Sequence, residues 1–315
     1  MARLVFNDET ENEISLSRYF KSPAVRVPLL VLAVIILLSV CSFAINGVED
    51  SELYLTVIIA QLIIFLIPAI LYYQLRSRKL DSNVYIRPFR SVHIVFTFFS
   101  TVVFFSGNML IKYFSYIIFG ETGKYRTYFI DAAFNADDLK SIGVFLAFCL
   151  VPAVCEELFF RGIVLSEYRK FGAFNCVFIS ALFFAFIHLS FNDFFSYLFS
   201  GLVLGFVTVS CRSVFPAILI HFLNNVWSIY GSDTFINLIV QESGAFFLTF
   251  ILVISFCVSV IVVLGYLLKL YSSYEKNPPD GDLPSRSIEN LSEVYLSPTF
   301  YIVAILYFFI TLLSK

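Results

Sequence analysis

Residues 142–168 read IGVFLAFCLVPAVCEELFFRGIVLSEY, and this stretch determines the class of fold. It is long enough to cross a bilayer, which takes about 20 mostly apolar residues in a helix. It also contains Glu156, Glu157 and Arg161 in the run CEELFFR. Charged side chains at membrane depth are costly and usually serve a function. The stretch therefore predicts a membrane-spanning helix that carries part of a functional site.

The whole chain has the composition of an integral membrane protein. Of its 315 residues, 59% are hydrophobic and only 14% are charged, whereas soluble domains carry about 25% charged residues. Such a chain cannot solvate its own surface, so membrane lipid is an expected partner. The net charge of −2 and the lack of a basic block argue against a nucleic-acid partner.

Nine apolar segments predict an all-α fold, a polytopic transmembrane helix bundle of about eight or nine spans. The fifth to seventh segments are short and the last is marginal, so we expect these to be tilted or enclosed by other helices. The spacing of Gly201 and Gly205 predicts a face for close helix packing. The candidate spans are residues 27–46, 54–75, 92–118, 142–168, 173–190, 195–211, 213–230, 244–270 and 299–314.

The distribution of basic residues predicts how the chain is oriented in the membrane. Lysine and arginine gather in the loops after spans two, four, six and eight, and short basic loops remain in the cytosol. The N-terminus is then cytosolic and the C-terminus lies outside. We divide the chain into a cytosolic tail (1–26), accessory transmembrane helices (27–141), a core with the polar residues (142–230), and C-terminal helices (231–315) that include a linker loop at 272–298.

Helical geometry assigns different roles to the two adjacent glutamates. Residues four apart share a helix face, whereas adjacent residues point about 100° apart. We therefore expect Glu157 and Arg161 to form a structural ion pair. Glu156 faces elsewhere and remains free for chemistry.

Two of the three histidines lie in later spans, each with a partner four residues away. Phe184 shares a face with His188, and His221 shares one with Asn225. At 1.5 Å per residue, Glu156 and His188 lie roughly 21 and 24 Å from the cytosolic boundary, and His221 and Asn225 roughly 14 and 20 Å. We therefore expect one Glu, two His and one Asn to meet at one membrane depth.

This set of residues can activate water for attack on a carbonyl in two ways. In the first, Glu156 is a general base, the histidines orient water or exchange protons, and the Asn225 amide donates to the developing oxyanion. In the second, Glu156, His188 and His221 bind a catalytic zinc ion. The residues alone leave both open, so the expected cofactor is either none or zinc.

The three motifs together resemble the signature of a known family. EExxxR from Glu156, FxxxH from Phe184 and HxxxN from His221 follow one another on successive helical segments, as in the CPBP family of CAAX proteases and bacteriocin-processing enzymes, also called Abi proteins. The resemblance covers residues 142–230. It implies an intramembrane endopeptidase similar to the type II CAAX prenyl endopeptidases.

The resemblance also implies the role of each residue. Glu156 corresponds to the water-activating base, His188 and His221 to the family histidines, and Asn225 to the residue that helps to form the oxyanion site. The substrate would be a prenylated CAAX tail or a leader-type peptide at the membrane. We favour the metal-independent mechanism, because no second acidic base faces the same point.

Two other functions fit the same sequence. One is a non-catalytic immunity or membrane scaffold protein of the same family. The other is a proton-coupled carrier that uses Glu156 and the histidines as a relay. We disfavour the carrier because the chain shows no inverted repeat or discontinuous span.

Overall fold

The computed structural model of the chain describes residues 22–45, 48, 52–75, 85–119, 142–230, 242–276, 295 and 297–313. These residues form helices, and they contain no strand. A helix satisfies every backbone hydrogen bond within its own segment, which an apolar surrounding requires. The predicted all-α fold is confirmed.

Each of the nine candidate spans corresponds to a helix. Six helices are long and apolar enough to cross a membrane, namely α1, α2, α3, α4, α6 and α8, and α5 and α9 are shorter apolar helices. An integral membrane protein is thus confirmed, and the count of eight or nine spans stays a prediction. The helices are α1 (Pro23–Ile45), α2 (53–75), α3 (Ile94–Phe119), α4 (Ile142–Tyr168), α5 (Ala173–Ile187), α6 (Phe194–Cys211), α7 (Phe215–Tyr230), α8 (Glu242–Lys276) and α9 (Pro298–Leu313).

Three helix ends differ most from the sequence prediction. Helix α1 begins at Pro23, inside the expected tail 1–26. Helix α5 ends at Ile187, and His188 caps it instead of lying inside a span that reaches residue 190. Helix α8 continues to Lys276, so the first residues of the expected 272–298 linker are helical. Most of that linker, and residues 1–21 of the expected cytosolic tail, lie outside the described residues. The cytosolic N-terminus stays a prediction.

Helix α4 is irregular on both sides of its glutamates. It has π-helical turns at Phe145–Leu150 and Leu158–Val164, with a regular α-helical stretch, Val151–Glu157, between them. Such turns often occur at functional sites. A π-helical turn holds more residues than an α-helical one, so it changes the direction in which the following side chains point.

Close packing of α5 against α6 positions the polar residues of both helices. A Cβ atom added at Gly201 would lie 2.7 Å from the Ala181 Cα atom, and one at Gly205 would lie 2.8 Å from a Val177 methyl group. Glycine is therefore required at both positions. The predicted small-residue face of α6 is confirmed.

Candidate active site

The polar residues singled out in the sequence come from three helices. Helix α4 carries the charged run, the end of α5 carries one histidine, and α7 carries the other histidine and the asparagine. Glu156, Glu157, Arg161 and His221 are buried. The structure brings these residues into contact.

The predicted ion pair between Glu157 and Arg161 is present. Arg161 Nη1 donates to Glu157 Oε1 over 2.8 Å, and both side chains have no exposed surface. Arg161 Nη2 also donates to the carbonyl oxygen of Gly201 on α6, over 3.2 Å. The guanidinium carbon lies 4.7 Å from the centre of the Phe184 ring on α5, a cation–π distance. Arg161 therefore connects three helices as well as balancing a charge.

Glu157 has a second partner that the sequence did not reveal. The same Oε1 atom lies 2.8 Å from His221 Nδ1 on α7. An ionised carboxylate only accepts hydrogen bonds, so Nδ1 carries the hydrogen and donates it. This bond fixes the orientation of the imidazole ring. The description of Glu157 as part of a structural pair is therefore incomplete.

The other nitrogen of His221 faces Glu156. His221 Nε2 lies 3.9 Å from Glu156 Oε2. That carboxylate oxygen is buried and has no hydrogen-bond partner among the described residues. Leaving a buried polar atom without a partner is costly, and native proteins do so rarely and usually for a functional reason. Glu156 is thus the free carboxylate that helical geometry predicted.

Two aromatic rings hold His188. Its Nδ1 donates to the backbone oxygen of Phe184, four residues earlier, over 2.7 Å. The Phe184 ring centre lies 4.7 Å from that of His188 and 5.8 Å from that of His221, so Phe184 packs against both histidines. On its other side, His188 stacks on Tyr197 of α6, with ring centres 3.8 Å apart.

Asn225 lies one turn after His221 and contacts α4. Its Nδ2 atom donates to the carbonyl oxygen of Cys149 over 3.3 Å. The amide group carries two hydrogens, so this bond leaves one for another acceptor. The amide is half-buried.

The zinc ligand set gains no support from this geometry. Within the part of the chain that the structure describes, no group of three or more His, Cys, Asp or Glu side chains is placed to hold a metal ion. Glu156, His188 and His221 do not form such a group. In both histidines, Nδ1 is bonded to a protein acceptor, which leaves Nε2 as the nitrogen without such a bond.

Sequence reasoning missed Tyr197 as a member of the site. A single tyrosine in an apolar helix gives little signal in a chain of which 18% is aromatic. It also follows His188 by nine residues, across a helix boundary, so no helical spacing relates the two. Only the packing of α6 against the end of α5 brings the rings together.

The geometry defines an integral membrane protein with a buried carboxylate and two histidines grouped inside a helix bundle. Residues 138–227 match the family model described as Type II CAAX prenyl endopeptidase Rce1-like. Together with the three motifs, this match supports a similarity of that segment to the CPBP family of CAAX proteases. The matched family model describes a protease. No curated protein and no solved structure matches the chain.

Proposed function

We propose that this protein is an intramembrane endopeptidase that hydrolyses a peptide bond of a membrane-associated peptide, with Glu156 as the general base. The observation that carries the proposal is the position of Glu156 Oε2. It is buried without a hydrogen-bond partner among the described residues and lies 3.9 Å from His221 Nε2. A carboxylate in this situation is suited to bind and deprotonate a water molecule.

The 3.9 Å separation suits a water molecule that contacts both atoms. A water oxygen at about 2.8 Å from each can donate one hydrogen to Glu156 Oε2 and the other to His221 Nε2. His221 Nε2 acts as an acceptor here, because Nδ1 carries the ring hydrogen toward Glu157. Glu156 and His221 then orient a lone pair of the water oxygen toward the substrate.

The bond changes follow from this arrangement. Glu156 takes one proton from the water as its oxygen bonds to the peptide carbonyl carbon, and the carbonyl oxygen becomes negative. The amide group of Asn225 donates its second hydrogen to that oxygen. The carbon–nitrogen bond then breaks, and Glu156 passes its proton to the leaving amine. His188, whose Nδ1 is bonded to Phe184, presents Nε2 for proton exchange.

We propose further that the substrate reaches this site from the membrane. Membrane lipid and a peptide or protein substrate are the partners, and nucleic acid is not. Family likeness favours a prenylated CAAX-type or a leader-type peptide, cut near the cytosolic side. Water would enter through a polar cavity between α4, α5 and α7. The N-terminus of the chain would lie in the cytosol, as the basic loops predict.

A paired cleavage assay in detergent tests the proposal. Prenylated and unprenylated peptides are incubated with the wild type, Glu156→Gln and Glu167→Gln, with and without a strong zinc chelator. Glu167 is a matched control because it is another buried glutamate on α4, about 16 Å further along the helix. We expect cleavage by the wild type and by Glu167→Gln, and none by Glu156→Gln.

Each other outcome assigns a different function. Full activity of Glu156→Gln would contradict the proposed base. Loss of wild-type activity with the chelator, restored by zinc, would make Glu156 a ligand. A wild type that cleaves no peptide, including peptides from the native host, would favour a non-catalytic immunity or scaffold protein. Uptake into proteoliposomes driven by a pH gradient would favour the carrier.

A further inference from the structure

Tyr197 completes the surroundings of His188 from the side of α6. The phenol and imidazole rings are stacked, with centres 3.8 Å apart and planes 22° apart. The hydrogen bond from His188 to the Phe184 carbonyl fixes one edge of the imidazole, and the stack fixes its plane. The ring of Tyr197 therefore packs against His188 and positions it, whereas the hydroxyl group takes no part in this packing.

The hydroxyl group of Tyr197 differs from those of other tyrosines in the bundle. Tyr266 hydrogen-bonds His93 Nδ1 over 2.5 Å, and Tyr307 donates to the Ser190 carbonyl over 2.9 Å. Tyr197 forms no side-chain hydrogen bond with any described residue, and its side chain is half-buried. Its hydroxyl group is therefore free to donate to a ligand inside the bundle.

The location of this hydroxyl group identifies the ligand. It is carried on the edge of a ring that lies flat on His188, and Phe184 on the other side of His188 also packs against His221. It is therefore next to the place where the proposed reaction puts the substrate carbonyl. A phenol is a neutral donor, and a carbonyl oxygen that becomes negative is the acceptor that gains most from such a donor.

We propose that Tyr197 is a further catalytic residue, whose hydroxyl group donates a hydrogen bond to the substrate carbonyl oxygen as it becomes an oxyanion. This inference rests on the proposed hydrolysis. Tyr197 and Asn225 then hold the oxyanion together, and Tyr197 keeps its proton throughout. Its ring has a separate role, which is to hold His188 in place.

Two substitutions separate the hydroxyl from the ring. Tyr197→Phe keeps the stack and removes only the donor, whereas Tyr197→Leu removes both. We expect Tyr197→Phe to lower kcat about 10- to 100-fold with KM changed less than about twofold, the pattern of an interaction made only in the transition state. Tyr197→Leu should lower kcat further. Tyr266→Phe removes a hydroxyl group whose partner is His93 instead, and should cleave as the wild type does.

Binding measurements show whether the variant is folded. The affinity of a fluorescent peptide for Glu156→Gln and for the double variant with Tyr197→Phe is compared by anisotropy. Equal affinities, with the kcat loss above, support the proposal. Wild-type kcat in Tyr197→Phe, or a change in KM alone, would overturn it while the hydrolase proposal stands, provided that Glu156→Gln is inactive. A wild type that cleaves no peptide would overturn both.

Discussion

Replacing Arg161 with methionine is the perturbation whose cost the structure defines most clearly. The guanidinium group is completely buried and donates to Glu157 over 2.8 Å and to the Gly201 carbonyl over 3.2 Å. Methionine fills a similar length but supplies no charge and no donor. In Arg161→Met, Glu157 remains buried with His221 as its remaining side-chain donor.

The expected loss follows from removing one member of a buried ion pair. Such a change costs about 3–5 kcal/mol, because the partner is left as an uncompensated charge. At 2–4 °C per kcal/mol, the unfolding midpoint should fall by roughly 10 °C. Replacing both members often costs little. The double variant of Arg161→Met with Glu157→Gln should therefore recover about 2 kcal/mol, since it also removes the buried charge.

The cysteines of the protein provide the assay. Unfolding in detergent is followed with a fluorogenic thiol dye, which reports the exposure of the four buried thiols, in a Cys257→Ser background that removes the exposed one. Lys269→Met, an exposed position on α8, is the control and should leave the midpoint unchanged. A wild-type midpoint for Arg161→Met, or a double variant less stable than the single one, would refute this reasoning. The buried thiols are Cys149, Cys155, Cys176 and Cys211.

Three further predictions concern packing, a polar contact and the cofactor. Gly201→Ala should lower the same unfolding midpoint, because its Cβ would lie 2.7 Å from the Ala181 backbone. Gly162→Ala is the control and should leave the midpoint unchanged, because a Cβ atom there has no neighbour within 4 Å. Equal midpoints for the two would contradict the packing described. Asn108→Ala, which removes the hydrogen bonds of Asn108 with Ser196 and Ser200, should cost about 0.6–2 kcal/mol of unfolding free energy and leave peptide cleavage unchanged. Cleavage should persist with a strong zinc chelator, and a loss that added zinc restores would show that a metal takes part.

The contacts that sequence reasoning predicted are those that depend on one helix alone. The pair of Glu157 with Arg161, the proximity of His188 to Phe184 and the class of fold all follow from a spacing of four or from apolar length. These relations hold wherever the helix lies. For the same reason, the sequence alone predicts different roles for Glu156 and its neighbour Glu157.

The contacts that sequence reasoning missed depend on how helices pack. The approach of His221 to Glu157 requires α7 to lie beside α4 at one rotation, and the stack of Tyr197 on His188 requires α6 to reach the end of α5. The π-helical turns of α4 add a further obstacle, because a rotation of 100° per residue no longer holds through them. No spacing in the sequence contains this information.

A single oxygen atom couples the stability of the bundle to its proposed chemistry. Glu157 Oε1 accepts from Arg161 Nη1 and from His221 Nδ1, each over 2.8 Å. The first bond compensates the buried charge, and the second turns His221 Nε2 toward Glu156. Loss of Arg161 would therefore impair hydrolysis without any contact between Arg161 and the substrate, because Glu157 would no longer be held where His221 needs it. In the proposed mechanism the two adjacent glutamates divide these roles, since one holds the histidine while the other, about 100° around the helix, takes a proton from water.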